Sequence, residues 1–433
     1  MAPIWAQSPN PVDMPPGYLM PAPRLEEFRR QEAVSEMRSH AWNLFRGANR
    51  LVRPQFDIQL DKVPIWITWN TKDEAFTGKP IPFFQRFEVP IQIQALASMS
   101  TLTDRAAAEG QPLSTVYLSP QLARQLRTPK APAAAPSMLV TAIRPDTIKA
   151  ADDYFTKYGI TGTAREIAPF PDASIAVKTA WWFVSSKAWR VQPIPVWRGP
   201  KANPDASLRK DPLNWSDPVH IDPTKARHRC KKPPEVCPDF PQPDGGTPDH
   251  RPVVPIDRFF YVPVCTCDEA YMLKDKFKLA GILPGDYVLL MGMHIATREI
   301  PDWVWATFWW SDTPNAGEFS TNRPPFYPKP WRNYVMDTTL DMVTPRKQGQ
   351  PKATYNPWLE VVIDGAVTDN CMSCHRSAAY PRVASPAHNG FVDPDGPELR
   401  NRTKLDFLWT IADQFEDANS PLAPTAASAK SKK

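Results

Sequence analysis

Proline occupies 52 of the 433 positions, and this abundance limits how the chain can fold more than any other feature. The proline ring fixes φ and removes a backbone N–H, so proline interrupts helices and the interior strands of sheets. We therefore expect short regular elements joined by long irregular segments. The densest stretch, residues 200–257, contains 13 prolines in 58 positions and is predicted to run over the surface without regular structure.

Hydrophobic periodicity predicts where the regular elements lie. Alternating apolar residues predict strands at 63–69, within 174–199, and at 259–264, 287–297 and 303–310. Three- and four-residue apolar spacing predicts helices at 24–50, 146–158, 357–377 and 405–411. The last two strands are joined by five residues that include Pro301, which favours a hairpin. The fold class is therefore predicted to be α+β, with a β-rich core, peripheral helices and long proline-rich irregular segments.

Composition excludes some classes of protein. The net charge of +5 comes from 51 basic and 46 acidic residues that are scattered along the chain, which gives no indication of nucleic-acid binding. No apolar run reaches the roughly 18–20 residues of a membrane-spanning helix, so no membrane span is predicted. The N-terminus lacks the basic and apolar regions of a signal peptide.

The residues Cys371-Met372-Ser373-Cys374-His375 form C-x-x-C-H, the sequence at which a c-type haem is attached. Two thiols three positions apart can add to the two vinyl groups of one porphyrin, and the histidine that follows can supply an axial imidazole to the iron. With 6 Cys and 7 His in the chain, the expected number of chance matches is on the order of 0.001. We therefore predict a helical haem-attachment segment near the C-terminus that carries one covalent haem c.

A stray disulfide or half of a zinc site would also use two such cysteines. A zinc site needs four ligands, usually including a second closely spaced pair. The chain has no second C-x-x-C pair, so haem attachment remains the favoured interpretation.

The sixth position of the iron separates an electron carrier from a protein that binds small molecules there. His294 is the leading candidate for a sixth ligand or a distal-pocket residue, because its strand lies next to a tryptophan-rich hairpin. Alternation along the strand places His294 on the same face as Leu290, where it could equally be an ordinary core residue. The alternatives are Met291, Met293 and His388.

Arginines and tryptophans could complete a haem site. Guanidinium groups pair bidentately with carboxylates, so Arg298, Arg376 and Arg382 are candidate partners of the haem propionates, although each could equally be a surface charge. The 16 tryptophans suit the walls of a flat apolar pocket, although ordinary core packing explains most of them.

The other four cysteines, Cys230, Cys237, Cys265 and Cys267, lie within 38 positions of one another. In an oxidising compartment they could form two disulfides that attach the proline-rich stretch to a strand. Three pairings are possible, and a bridge between Cys265 and Cys267 is the least favourable geometrically. A metal site with four thiolate ligands is the alternative.

These observations divide the chain into five regions. They are an extended N-terminal arm (1–23), an N-terminal α+β region (24–199, with a Pro/Ala-rich linker at 128–137), a proline-rich surface excursion (200–257), a haem-bearing region (258–419) and a disordered tail (420–433).

Two segments carry a resemblance to a known family. His294 followed by the block W-x-W-A-T-F-W-W at residues 303–310, together with the single C-x-x-C-H at 371–375, resembles bacterial monohaem c-type cytochromes of uncharacterised function. The segment 407–411 is similar as well, and weaker similarity occurs at 40–42 and 64–66. The resemblance covers mainly the C-terminal third. It implies one covalent haem and an extracytoplasmic, for example periplasmic, location, with a signal peptide already removed.

Three functions are compatible with these predictions. The first is electron transfer to a redox partner protein. A minimal carrier needs roughly 100–150 residues, so the additional length must build a docking surface or a cavity. The second is a haem enzyme of peroxidase or oxygenase type, with His375 proximal and His294 as a distal acid or base. The third is a structural cytochrome subunit of a redox complex. The sequence does not specify the oligomeric state.

Overall fold

The computed structural model describes most of the chain. The described residues are 11–88, 113–127, 145–186, 194–202, 212–237, 250–277, 282–325, 327–360, 363, 365–383 and 390–412. The predicted linker at 128–137, the tail at 420–433 and the candidate ligand His388 lie outside these ranges.

An antiparallel sheet of seven strands forms the centre of the described structure. Its strands are β3 (Asn70–Thr71), β4 (Leu113–Leu118), β5 (Ile175–Val184), β8 (Tyr261–Pro263), β9 (Tyr287–Thr297), β10 (Val304–Trp310) and β11 (Tyr334–Thr338). The strand order is β11-β10-β9-β5-β4-β3, and β8 pairs with residues 287–289 of β9, on the edge opposite β5. The predicted α+β class with a β-rich core is confirmed, and so is the hairpin, in which Thr297 faces Val304.

Four small two-stranded pairings lie outside this sheet. They are β1 (Leu51–Val52) with β2 (Val63–Pro64), β6 (His220–Asp222) with β7 (Val253–Pro255), β12 (Arg346–Lys347) with β13 (Gln350–Pro351), and β14 (Ala379–Tyr380) with β15 (Thr403–Lys404). The β6–β7 pair is parallel and lies within the predicted excursion, so its described part contains some regular structure.

The helices are short, as the proline content predicts. They are α1 (Ala22–Arg30), α2 (Val34–Ala48), α3 (Lys72–Thr77), α4 (Pro120–Arg127), α5 (Pro145–Lys157), α6 (Cys267–Phe277), α7 (Pro357–Glu360) and α8 (Cys371–Arg376). The helix predicted at 146–158 corresponds to α5 and is confirmed.

The sheet separates two hydrophobic clusters. The larger cluster contains α2, where the ring of Phe45 stacks on Phe308 of β10 with centroids 4.2 Å apart. The smaller cluster contains Trp303, Trp305 and Cys371. Because successive side chains of a strand point to opposite faces, β10 contributes to both clusters. The C-x-x-C-H motif therefore packs against the face of the sheet opposite α2.

A β-bulge in β9 changes the predicted facing of His294. In the pairing with β5, Gly292 lies opposite Ala180 but Leu290 lies opposite Trp181, so Met291 is an extra residue. An extra residue moves all later side chains to the other face. The expectation that His294 shares a face with Leu290 is wrong: His294 lies on the face of the smaller cluster.

Other predicted boundaries also need correction. The helix expected at 24–50 is interrupted between α1 and α2, where Glu32 has a positive φ of 50°. In the strand expected at 63–69, residues 65–68 instead form a 3₁₀ helix after Pro64, and all four are buried. In the N-terminal arm, residues 16–18 form a 3₁₀ helix and α1 already begins at Ala22.

The C-terminal helices are shorter than predicted. The described residues of the region 357–377 include α7, a 3₁₀ turn at 366–368 and α8, and Gly365 has a φ of 80° just before the 3₁₀ turn. The helix expected through 405–411 begins only at Trp409. Asp406 and Phe407 have φ values of 43° and 68°, which are incompatible with a right-handed helix at these two positions.

Two disulfides attach the excursion to the core, as predicted. Cys230 pairs with Cys265, which follows β8, and Cys237 pairs with Cys267 at the start of α6. These bonds use the four thiols that a metal site would have needed. Among the described helices, none combines the length and the apolar character needed to cross a bilayer.

Candidate functional site

The helix that carries the motif is fixed by its own cap. The side chain of Asn370 accepts a hydrogen bond from the Ser373 N–H at 2.9 Å, and its amide donates to the Met342 carbonyl at 3.0 Å. The Ser373 hydroxyl donates to the Gly390 carbonyl at 2.6 Å. Cys371 and Cys374 are three positions apart on this helix, so their side chains lie on the same side. The local structure therefore presents both thiols together.

The two thiols are unpaired and surrounded by protein. Cys371 and Cys374 form no disulfide, and the Cys371 thiol lies 3.3 Å from the Thr354 carbonyl. Burial raises the pKa of both thiols, and nearby carboxylates, including Glu360 and Asp369, raise it further. Thiol–disulfide exchange and thiolate metal sites require a lowered pKa, so this environment favours a neutral sulfur such as a thiol or thioether.

His375 is oriented by its neighbours. Its Nδ1 lies 2.7 Å from the Phe407 carbonyl, and its ring packs on Trp305 with centroids 4.1 Å apart. Burial lowers the pKa of His375 to about 4, so the imidazole is neutral at neutral pH. With Nδ1–H donated to a carbonyl, Nε2 carries the lone pair that can coordinate a metal ion.

The loop that supplies the Phe407 carbonyl is held by Asp406. This buried carboxylate accepts hydrogen bonds from the Phe170 N–H at 2.8 Å, Arg298 Nε at 3.1 Å and Trp303 Nε1 at 3.4 Å. These contacts hold two consecutive residues at positive φ. The hairpin thus positions the imidazole of His375 indirectly, through Asp406 and the Phe407 carbonyl.

Aromatic and cationic groups surround the motif. Trp409 Nε1 donates to the Cys374 carbonyl at 3.1 Å. The guanidinium of Arg376 lies 5.1 Å from the centre of the Phe407 ring, and that of Arg382 lies 5.3 Å from the Trp409 ring. The helix α8 and the residues that follow it therefore pack against the rings of Phe407 and Trp409.

His294 belongs to the same site. Its Nε2 pairs with Glu360 Oε1 at the end of α7, and Lys178 lies opposite His294 on β5. Burial opposes ionisation of Glu360. However, the charge of His294, its hydrogen bond and the Asn356 N–H more than offset burial, so the pKa of Glu360 is lowered. Both His294 and Glu360 are near enough to affect the pKa of His375 electrostatically.

Of the other residues that the sequence suggests as haem ligands or propionate partners, some lie near the motif and some lie away from it. Met291 and Met293 are fully buried in the larger cluster, away from the motif. Arg298 is bonded to Asp406 and to Asp172, and Arg376 lies 4.0 Å from Glu166. The structure brings His294, Arg298 and Arg376 towards the motif, and their roles toward a haem remain predictions.

Sequence reasoning missed three residues of the site. Glu360, Asp406 and Phe407 have no motif of their own. The sequence does give one indication for Asp406, because an acidic residue flanked by the apolar residues Leu405 and Phe407 is expected to be buried with a partner. Glu360 gives no such signal, because only the tertiary fold brings it to His294.

The donor set fits a c-type haem. Cys371 and Cys374 supply two free thiols on one helical turn, and His375 supplies a neutral imidazole with its other nitrogen already bonded. In the parts of the chain that the structure describes, no group of three or more His, Cys, Asp and Glu side chains is arranged to hold a metal ion directly. A porphyrin provides the other four ligands itself.

Comparison with protein-family models, with curated proteins and with solved structures finds no match for this chain.

Proposed function

We propose that this chain is a c-type cytochrome that holds one haem through Cys371 and Cys374, with His375 Nε2 as an axial ligand, and that it transfers electrons to a redox partner. The observation that carries the proposal is the bond from His375 Nδ1 to the Phe407 carbonyl, beside two unpaired thiols. This is the arrangement that fixes the tautomer of a metal-bound histidine.

The bound haem would supply one-electron redox chemistry. The chain itself orients the imidazole of His375 and excludes water from it. Asp406 holds the Phe407 carbonyl, that carbonyl sets the ring of His375, and Trp305 covers one side of this ring. The low-dielectric surroundings would favour the state of the haem with less net charge.

The disulfides support an oxidising, extracytoplasmic compartment for this cytochrome, in line with the place where haem is attached to C-x-x-C-H. A periplasmic location is therefore part of the proposal. A redox partner protein would dock where the haem edge reaches the surface.

Mass spectrometry and a denaturing gel stained for haem test the proposal. The chain, produced in a host that attaches c-type haem, should carry the added mass of one haem. Cys371→Ala combined with Cys374→Ala should abolish the covalent attachment. Cys230→Ala combined with Cys265→Ala removes a disulfide-bonded pair of cysteines elsewhere and should retain the covalent haem. An unmodified polypeptide mass in the wild-type protein would refute the proposal.

A haem enzyme is the second candidate, and the His294–Glu360 pair favours it. A histidine linked to an ionised carboxylate is suited to accept and return a proton. This role predicts an iron position that exchanges ligands, whereas an electron carrier would have both axial positions filled.

The absorption spectrum distinguishes the two candidates. In an enzyme, cyanide should shift the Soret band of the wild-type protein, and Glu360→Gln should change the pH dependence of cyanide binding. If His294 were the sixth ligand of an electron carrier, His294→Ala should shift the band without any added ligand. A Soret band that cyanide leaves unchanged would contradict the hypothesis that the protein is a haem enzyme.

A further inference from the structure

A cavity lies away from the C-x-x-C-H motif, just after the C-terminal end of β10. It has a volume of about 590 Å³, within the range typical of small-molecule sites. Segments around Asp312–Asn315, Ser320–Pro325 and Tyr327–Asn333 form most of it, together with Arg258. We call it the arginine cavity. It begins just after Trp310, whereas the motif packs near Trp305 at the opposite end of the same strand.

The lining of the arginine cavity is strongly basic. Arg258, Arg323 and Arg332 all face it, and the one acidic lining residue is Asp312. Both carboxylate oxygens of Asp312 are already bonded to Arg198, at 2.6 and 2.7 Å. Asp312 therefore does little to neutralise the three arginines.

Two of the three guanidinium groups, those of Arg323 and Arg332, repel each other. The guanidinium of Arg323 is anchored to the backbone carbonyls of Arg332 and Tyr334, at 2.6 and 3.1 Å. Burial lowers the pKa of Arg323, and the charge of Arg332 lowers it further. Within the described ranges, the side chains of Arg258 and Arg332 make no hydrogen bond or ion pair. The cavity thus concentrates positive charge that the protein itself leaves uncompensated.

Neighbouring carboxylates are committed elsewhere. Asp257 lies next to Arg258 in sequence but pairs with Lys329 at 3.2 Å and with Arg227 at 3.3 Å. Glu318 pairs with Lys347 at 3.1 Å. Neither carboxylate lines the cavity, so no acidic residue in the described ranges other than Asp312 is placed to neutralise the three arginines.

The walls of the cavity are stiff. Pro314, Pro324 and Pro325 form part of the lining, and proline rings lose little conformational entropy when a ligand binds. The hydroxyl of Tyr327 donates to the Trp42 carbonyl at 2.9 Å, so this residue offers its ring rather than its hydroxyl. The charged groups are therefore displayed on a framework that is already in place.

We propose that the arginine cavity binds a small molecule that carries at least two anionic oxygen groups, such as a di- or tricarboxylate or a phosphate ester. Guanidinium groups pair bidentately with carboxylate and phosphate oxygens. One carboxylate can pair with only one or two guanidinium groups, so three in one cavity favour a ligand with more than one anionic group. This binding does not depend on the haem, because none of the lining residues belongs to the haem site.

Isothermal titration calorimetry on the full chain tests the proposal, with citrate, inorganic pyrophosphate and chloride as separate probes at matched ionic strength. At least one of the two polyanions should bind saturably, and the stronger of them identifies carboxylate or phosphate as the preferred group. Equal, weak heats from all three probes would indicate screening alone and would overturn the proposal.

Variants locate the binding. Arg258→Gln and Arg332→Gln should each weaken binding at least tenfold, and the two together should abolish it. Both arginines are exposed, so their loss should leave the far-UV circular dichroism unchanged. Arg30→Gln, an exposed arginine on α1 away from the cavity, is the matched control and should bind normally. Wild-type affinity in the double variant, or equal weakening by Arg30→Gln, would refute the site.

Discussion

Asp406 should be the most sensitive residue outside the motif itself. Asp406→Ala removes a carboxylate that accepts three hydrogen bonds, from the Phe170 N–H, Arg298 and Trp303. A hydrogen bond to a charged group contributes roughly 1.5–3 kcal/mol. The three contributions are not additive, and the cost of burying the carboxylate, which raises its pKa, offsets part of them. We expect the free energy of unfolding to fall by about 3–4 kcal/mol.

The variant should also disturb His375, the proposed axial ligand. Asp406→Ala removes three of the hydrogen bonds that hold this turn, so we expect the carbonyl of Phe407, whose φ is 68°, to move away from His375. Urea unfolding followed by tryptophan fluorescence measures the stability. The Soret band and the midpoint potential of the haem-loaded protein measure the second effect, which a purely structural role would leave unchanged.

Asp172→Asn is the matched control for Asp406→Ala. Asp172 bonds to the same arginine at 2.8 Å, but its side chain is 95% exposed, so this ion pair is screened by solvent. The control should change neither the stability nor the spectrum measurably. If Asp406→Ala were as mild as Asp172→Asn, the view that the hairpin positions the histidine through this carboxylate would be wrong.

Three further predictions concern other parts of the fold. Gly292→Ala places a methyl group 2.7 Å from a buried amide oxygen and should cost about 1–3 kcal/mol in urea unfolding, whereas Gly17→Ala, with open space around it, should cost far less. Cys230→Ala combined with Cys265→Ala should lower stability by about 4 kcal/mol at most, less to the extent that the other bridge still restrains this loop. Burial lowers the pKa of Lys404 to about 8, against 10.5 when unfolded, so stability should rise from pH 8 to 10.5 in the wild type and not in Lys404→Gln; a parallel rise in both proteins would contradict this.

Strong periodic signals made the centre of the fold predictable. The hairpin of β9 and β10 was anticipated nearly to the residue, because apolar runs of strand length flank a short connector with proline. The clustering of four cysteines predicts two disulfides but does not specify how they pair. The haem motif needs no tertiary information, because its residues are adjacent in sequence.

The incorrect predictions of secondary structure have physical causes. Residues 65–68 alternate like a strand, but all of them are buried, and alternation then no longer distinguishes a strand from a 3₁₀ helix. The segment around Phe407 is apolar like a helix, yet hydrogen bonds from Phe170, Arg298 and Trp303 to Asp406 hold it in a turn. Such long-range bonds leave no trace in local sequence.

The facing of His294 was predicted wrongly for a different reason. One unpaired residue, Met291, cannot be recognised from composition, because every residue of β9 is apolar or buried. Its effect on the site is nonetheless large, since it decides which side of the sheet His294 reaches. The Glu360 contact could be found only from the three-dimensional structure.

The extra residue in β9 makes this strand intolerant of changes in length. Side chains alternate between the two faces on each side of Met291, but the extra residue exchanges the faces that the odd- and even-numbered residues occupy. Losing or gaining one amino acid there would exchange the two sets, sending His294 among the aromatic rings around Phe45 and turning Met293 toward the cysteines. A substitution in this strand changes one side chain at a time. An insertion or deletion of one residue would instead exchange the faces of all the side chains on one side of it.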